Sequence, residues 1–232
     1  MIRISKEQLE KEKELQDIVE LYIDNKIHRK EANKRMGDLL KKSLSQKIFS
    51  QKDISSYNYR RDPKNKRNHI DFALCLRNSH IKEKETFKYF FKWFVDNKKR
   101  DATYELLGSD DNGYVMIVNF WKRFDSPIKP DYRISWKNKS ENIEVKNFAG
   151  NEIWLKIDNV KKYNEWKSFI VINFKGKYWL FRNNVNSYLL NNMPFSLIKK
   201  YGKPSVVINE NGKKAHFKLQ DLINKKFVKE IL

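Results

Sequence analysis

The stretch Lys129-Pro130-Asp131-Tyr132-Arg133-Ile134, followed thirteen residues past the aspartate by Ile143-Glu144-Val145-Lys146-Asn147-Phe148, decides how this chain is read. From Asp131 to Trp136 polar and apolar residues alternate, as they do in a half-buried strand. In Ile143-Glu144-Val145-Lys146 the same period of two puts Glu144 and Lys146 on one face and Ile143 and Val145 on the other. Lys137-Asn138-Lys139-Ser140 between them has the composition of a turn, so the two strands read as a hairpin. Two carboxylates and a lysine are thereby placed on paired strands, and the Glu144–Lys146 pair would share a side while its neighbours are buried.

An acid two residues before a lysine is common in so charged a chain. The pattern also occurs at Asp62-Pro63-Lys64, Asp96-Asn97-Lys98 and Glu165-Trp166-Lys167. Asp62 lies beside proline in a polar loop, and Asp96 and Glu165 lie near the ends of segments with helical spacing. Only Glu144 sits in a strand pattern. A structural reading stands beside the chemical one: Asp131 capping a turn after Pro130, with Glu144 and Lys146 forming an exposed cross-strand charge face.

Two acids and a lysine so placed suit the hydrolysis of a phosphodiester, whose charge repels hydroxide and whose alkoxide leaves poorly. A divalent metal on the acids lowers the pKa of its bound water and neutralises the developing charge, and a nearby lysine orients that water or stabilises that charge. The arrangement resembles the PD-(D/E)xK nucleases, with Asp131, Glu144 and Lys146 on the signature positions.

The surroundings extend the resemblance over roughly residues 84–182. Upstream, Tyr114-Val115-Met116-Ile117-Val118 is a short apolar run after Gly113. Downstream, Asp158 reads as the cap of a helix carrying Val160 and Tyr163, and Phe169-Ile170-Val171-Ile172 as a buried strand. Lys175-Gly176-Lys177 turns that strand into Tyr178-Trp179-Leu180-Phe181. A helix, a hairpin bearing the acids, another helix and another strand is the order of the family core.

The resemblance implies an α/β fold with a restriction-endonuclease-like mixed central β-sheet flanked by helices. It implies Mg²⁺, with Mn²⁺ able to substitute, held by Asp131 and Glu144, while Lys146 positions or helps activate the attacking water. Relatives often add an acid from the helix before the first strand; Glu85 and Glu105 compete for that role, and Glu105 is the choice because it lies closer to that strand. The activity implied is a DNA endonuclease of restriction or homing type. A Holliday-junction resolvase, a ribonuclease (a viral cap-cleaving endonuclease included) and a nucleic-acid-binding protein without activity are the alternatives. Cutting both strands needs two sites, which implies a homodimer.

Composition agrees with a polyanionic partner. Forty-nine Lys and Arg against 29 Asp and Glu leave a formal charge of +20, which suits DNA, with RNA also open. The lone Cys75 precludes an intrachain disulfide and is compatible with a reducing compartment. His69, Cys75 and His80 are close in sequence but supply no fourth ligand for structural zinc. The start Met1-Ile2-Arg3-Ile4-Ser5-Lys6 lacks the apolar core of a secretory signal, and no apolar run has the length of a membrane span, so an intracellular, soluble protein is expected.

Two regions are expected: residues 1–80, helical and basic, as a DNA-binding or dimerisation element, and 81–232 as the nuclease domain with a C-terminal extension. Ser5-Lys6-Glu7-Gln8 is a capping-box pattern opening a helix with Leu15, Ile18, Val19 and Tyr22 on one face. A second helix carries Ala32, Met36, Leu39 and Leu40. The loop-like run Tyr57–His69 mixes aromatics with Arg60, Arg61, Lys64, Lys66 and Arg67, which are the candidate nucleic-acid contacts. Phe87, Phe90, Phe91 and Phe94, widened by Tyr89 and Trp93, form a core stripe. After a helix with Val185, Tyr188 and Leu189, the spacing predicts a break at Pro194 and a short helix ending at Gly202. It then predicts a hairpin about Asn211-Gly212 joining Ser205–Ile208 to Ala215–Lys218, and a final helix from Asp221 bearing Leu222, Ile223, Phe227 and Val228. Asp110-Asp111 beside Asn112-Gly113 reads as turn chemistry.

Overall fold

The computed structural model describes residues 5–50, 68–99, 101–107, 130–193, 198–200, 203–212 and 215–231. The expected strand at Tyr114–Val118, the Asp110-Asp111 turn, the break at Pro194 and the five cations Arg60, Arg61, Lys64, Lys66 and Arg67 lie outside the described residues. The chain divides into two compact units, one containing the described residues up to His80 and the other those from Ile81 onward.

In the first unit, helix α1 (Lys6–Ile23) opens with the capping box that Ser5 and Gln8 announce. Gln8 N–H donates to Ser5 Oγ and Ser5 N–H to Gln8 Oε1, both at 3.1 Å. Two of the unpaired N–H groups of a helix start are thereby satisfied. The Gln8 amide also donates to the Ile48 carbonyl at 2.8 Å, tying the helix start to the chain after α2 (Arg29–Ser45). Leu15 and Val19 on α1, Ala32, Met36 and Leu40 on α2, and Ile70 at the start of α3 (His69–Asn97) bury against one another, as helical spacing requires. Asn68 Oδ1 caps α3 by accepting from the Asp71 N–H.

In the second unit, α3 continues past Ile81, and a six-stranded sheet runs in the order β1-β2-β3-β5-β6-β10. Strands β1 (Thr103–Leu106), β2 (Tyr132–Trp136) and β3 (Lys139–Phe148) form an antiparallel meander. The turn between β2 and β3 is shorter than the sequence suggests, since Trp136 already faces Lys139 and only Lys137 and Asn138 lie outside the ladder. Strand β4 (Ile153–Lys156) leaves for a second sheet, and α4 (Ile157–Glu165) returns the chain to β5 (Phe169–Phe174), which pairs parallel to β3. A parallel pair needs such a crossover. Asp158 does not cap α4: the cap position is Lys156, and Asp158 sits in the first turn, where its charge still favours the helix start.

Strand β6 (Lys177–Phe181) follows through a two-residue turn in which Lys175 and Gly176 both have positive φ, at 54° and 75°. That pair of angles matches the right-handed strand twist, and it explains the glycine there. Helix α5 (Asn183–Asn191) buries Val185 and Leu189 as its spacing predicts.

The C-terminal part departs from the sequence reading. Residues Ile198–Lys200 are a strand, β7, antiparallel to β8 (Lys203–Asn209), where a short helix was expected; this pairing satisfies backbone groups that a three-residue helix would leave open. Asn211-Gly212 does make a turn, with Asn209 Oδ1 accepting from both backbone N–H groups, but no hairpin results. Strand β9 (Phe217–Lys218) pairs parallel to β8. The last helix, α6 (Leu219–Asn224), starts before Asp221 and stops before Phe227; Val228 lies instead in β10 (Val228–Glu230), the edge strand paired with β6. Long-range strand pairing overrides the helical spacing of the last residues.

The six-stranded sheet is covered on both faces. Ile143, Val145, Ile134, Tyr132 and Val171 pack on one side with Phe87 and Phe90 of α3, and the Phe87 and Tyr132 rings stack at 3.5 Å. Of the α3 aromatics, Tyr89 instead points outward and is exposed. Ile170, Ile172 and Phe174 pack on the other side with Val160 and Tyr163 of α4, Val185 and Leu189 of α5, and Val206 and Ile208 of the second sheet.

Candidate active site

The β2–β3 ladder and the β3–β5 pairing fix which face each side chain takes. Tyr132 opposes Ile143 and Arg133 opposes Asn142, while Glu144 and Lys146 align with Ile170 and Ile172. Alternation then puts Asp131, Arg133, Asn142, Glu144 and Lys146 on the face toward α4, and Ile143 and Val145 on the face toward α3. The apolar half of the strand anchors it, and the polar half is presented where α4 packs.

Glu144 is buried, with 5% of its surface accessible, yet it is an acid. Two groups answer for it. Lys146 Nζ lies 2.6 Å from Glu144 Oε1, and the Tyr163 hydroxyl of α4 donates to the same oxygen at 2.8 Å. Asp131, at the head of β2, accepts the Val145 N–H on Oδ2 at 2.8 Å, so its carboxylate is held against the β3 backbone. Burial first, and the Asp131 charge second, raise the Glu144 carboxyl to about 7, against the opposing pull of Lys146 and Tyr163. Burial alone would lower the Lys146 ammonium, but Glu144, then Tyr163, Asp131 and Glu83, outweigh it and hold the lysine well above its ordinary range. Tyr163 is pushed well up by burial, then by Glu144, and so serves as a hydroxyl donor. The charge face is therefore a cluster built around a buried acid, with Asp131 and Lys146 half-buried at its margin, unlike the solvated pair that an ordinary cross-strand contact would give.

The expected acids from the helix do not join this cluster as the sequence suggested. Glu105 is on strand β1, where a helix end was expected; it is exposed and forms an ion pair with Arg133 at 3.1 Å. Glu85 is exposed on α3. The helix acid whose charge reaches Lys146 is Glu83. The spacing carries a signal for it: Glu83, Phe87 and Phe90 fall at i, i+4 and i+7, so a half-buried Glu83 lies on the side of α3 that buries Phe87 and Phe90, and the exposed Glu85 does not. One turn on, Thr86 donates to Asn147 Oδ1 at 2.8 Å, pinning α3 to the end of β3 beside Lys146. Beyond Lys146, a cleft of about 400 Å³ opens between Asn147, Phe148, Trp154, Lys156 and Ser205.

Among the described residues no group of three or more His, Cys, Asp and Glu side chains gathers as a ready metal cage. The donors present nevertheless fit a hard cation. Asp131 and Glu144 are two carboxylates close enough for one to raise the pKa of the other. Among the described residues the bonds above engage one oxygen of each, Oδ2 of Asp131 and Oε1 of Glu144. Mg²⁺ is commonly held by one or two carboxylates, with waters and substrate phosphate completing its shell. No described helix is long and apolar enough to cross a membrane.

No family model matches the chain, and no curated protein matches it. Among solved structures, Hjc, a Holliday junction resolvase from the archaeal hyperthermophile Archaeoglobus fulgidus, is similar over 51% of this chain and 86% of its own length, with 14% identity and a TM-score of 0.31. A likeness this distant says nothing of activity, so function must be read from the side chains.

Proposed function

We propose that the chain is a Mg²⁺-dependent endonuclease that hydrolyses DNA phosphodiester bonds, using Asp131 and Glu144 as metal ligands and Lys146 as the catalytic cation. The observation that carries this reading is the cluster on one face of the β2–β3 hairpin, in which Lys146 contacts the buried Glu144 at 2.6 Å and the Asp131 carboxylate is held against the Val145 N–H. Two acids confined together are costly unless a cation shares them, and a functional site is the commonest place for such an arrangement.

A bound Mg²⁺ would lower the pKa of a coordinated water and neutralise charge on the phosphate. The protein's own part is positional and electrostatic. Val145 N–H fixes the Asp131 carboxylate, and Tyr163 fixes that of Glu144. Lys146 keeps its proton in the metal-free protein and can therefore offer a full positive charge to a phosphate oxygen as negative charge develops.

Arg60, Arg61, Lys64, Lys66 and Arg67 would add backbone contacts from the first unit, and cutting both strands of a duplex would require a second site, supplied by a homodimer. The test is incubation of the purified protein with supercoiled, linear, branched and single-stranded DNA and with RNA, with Mg²⁺ and with EDTA. Metal-dependent cutting of DNA is expected. Preference for four-way junctions would assign a resolvase and preference for RNA a ribonuclease, whereas binding without cutting on any substrate would leave a non-catalytic nucleic-acid-binding protein.

A further inference from the structure

The polar face that carries Asp131 and Glu144 does not end there. Arg133 lies two residues beyond Asp131 on β2, and Asn142 two residues before Glu144 on β3, so alternation places both on the same side of the sheet as the acids. Glu105 on β1 is directly opposite Arg133 and extends the row by one strand. Arg133 Nη1 donates to Glu105 Oε1 at 3.1 Å, and its Nε lies 3.4 Å from Asn142 Oδ1. Asn142 is itself held by donating its amide to the Trp166 carbonyl at 2.9 Å.

The pair is solvent-accessible, with 38% of the Arg133 side chain and 56% of the Glu105 side chain exposed. Among the described residues these contacts engage Nε and Nη1 of a group with five N–H donors arranged in a planar fork. That fork matches the oxygens of a phosphate, and arginine is preferred over lysine where such planar recognition is needed.

We propose that Arg133 binds a nucleic-acid backbone phosphate next to the scissile one, and that Glu105 competes with that phosphate for the guanidinium. This rests on the nuclease reading of the acid cluster. Asn142 keeps the arginine aligned along the face, and an exposed carboxylate is a partner weak enough to be exchanged for a phosphodiester. Glu105 on this account is a brake on substrate binding and takes no part in holding metal.

The test measures affinity for a labelled DNA duplex over a range of salt in Ca²⁺, which suppresses cutting, for the wild type, Arg133→Gln and Glu105→Gln. Arg133→Gln is expected to bind about tenfold more weakly, the effect of losing one charge-assisted contact. Its log-log salt dependence should become shallower by roughly 0.9, one phosphate contact on duplex DNA. Glu105→Gln is expected to bind a few-fold more tightly, since it releases an exposed ion pair. An unchanged affinity and slope for Arg133→Gln, or weaker binding by Glu105→Gln, overturns the proposal. A wild type that binds DNA but never cuts it in Mg²⁺ overturns the nuclease reading instead, and the two failures are thereby distinguished.

Discussion

Two acid–base pairs share one face of the same sheet and have opposite surroundings. Glu144 on β3 is buried beneath Tyr163 of α4 with Lys146 half-buried beside it, whereas Glu105 and Arg133, on β1 and β2, face solvent. Identical charges make a strong cluster in the first place and a weak one in the second, because water screens exposed pairs and is excluded from buried ones. The buried pair is accordingly coupled to Asp131, Tyr163 and Glu83, while the contacts of the exposed pair stay within its own cross-strand row. Burial, which sequence spacing shows only indirectly, is what separates the proposed chemistry from the proposed substrate contact.

The sharpest break between the two pairs should appear in turnover. Lys146→Ala is expected to lower kcat about 10²–10³-fold, the effect of removing one group that stabilises transition-state charge, while DNA affinity in Ca²⁺ is largely kept. Arg133→Gln should do the reverse and act through binding. Single-turnover cleavage at saturating enzyme, measured beside equilibrium binding, separates the two effects.

A smaller contrast is expected in the pH dependence of stability. The Glu144 carboxyl rises from an ordinary 4.5 to about 7 on folding. A group raised in this way contributes stability that is fully present below the unfolded value and is lost as pH rises through the folded one. The metal-free protein should therefore lose on the order of 3 kcal/mol between about pH 4.5 and pH 7 from this residue. Glu144→Gln should flatten that part of the profile in urea titrations, and Glu105→Gln should leave it unchanged.

Smaller again is the effect of Tyr163→Phe, which keeps the ring and removes only the hydroxyl that fixes Glu144. Groups that orient a metal ligand commonly contribute 10–100-fold in affinity, so calorimetric Mn²⁺ binding should weaken about tenfold. Least of all, Arg133→Gln and Glu105→Gln should each change the unfolding free energy by under about 1 kcal/mol.

Much of this arrangement was legible in the sequence because it is local. The alternation at Asp131–Trp136 and Ile143–Lys146 fixed both the strands and the faces of the three residues that meet in the cluster, and Lys175-Gly176 fixed the next turn. The capping box at Ser5 and Gln8 was equally direct. What failed depended on distant partners. Ile198–Lys200, Phe217–Lys218 and Val228–Glu230 are too short to display a period of their own, and they become strands only because β8 and β6 offer a backbone ladder. Glu105 lies on a strand where a helix end is expected, because the exposed residues of Thr103–Leu106 show no buried face by which to read the element. Glu83, whose charge reaches Lys146, is not among the two acids, Glu85 and Glu105, that the sequence reading considers. Tyr163 read simply as an apolar helix position, and its hydroxyl gains meaning only when α4 is seen to pack over Glu144.

The central claim is that the buried Glu144 is a metal ligand in a phosphodiesterase, and it is tested most directly by Glu144→Ala, purified and verified as folded, assayed in Mg²⁺ on the DNA that the wild type cuts. The account predicts no detectable cleavage, with duplex affinity retained. A variant that cuts at the wild-type rate would contradict it.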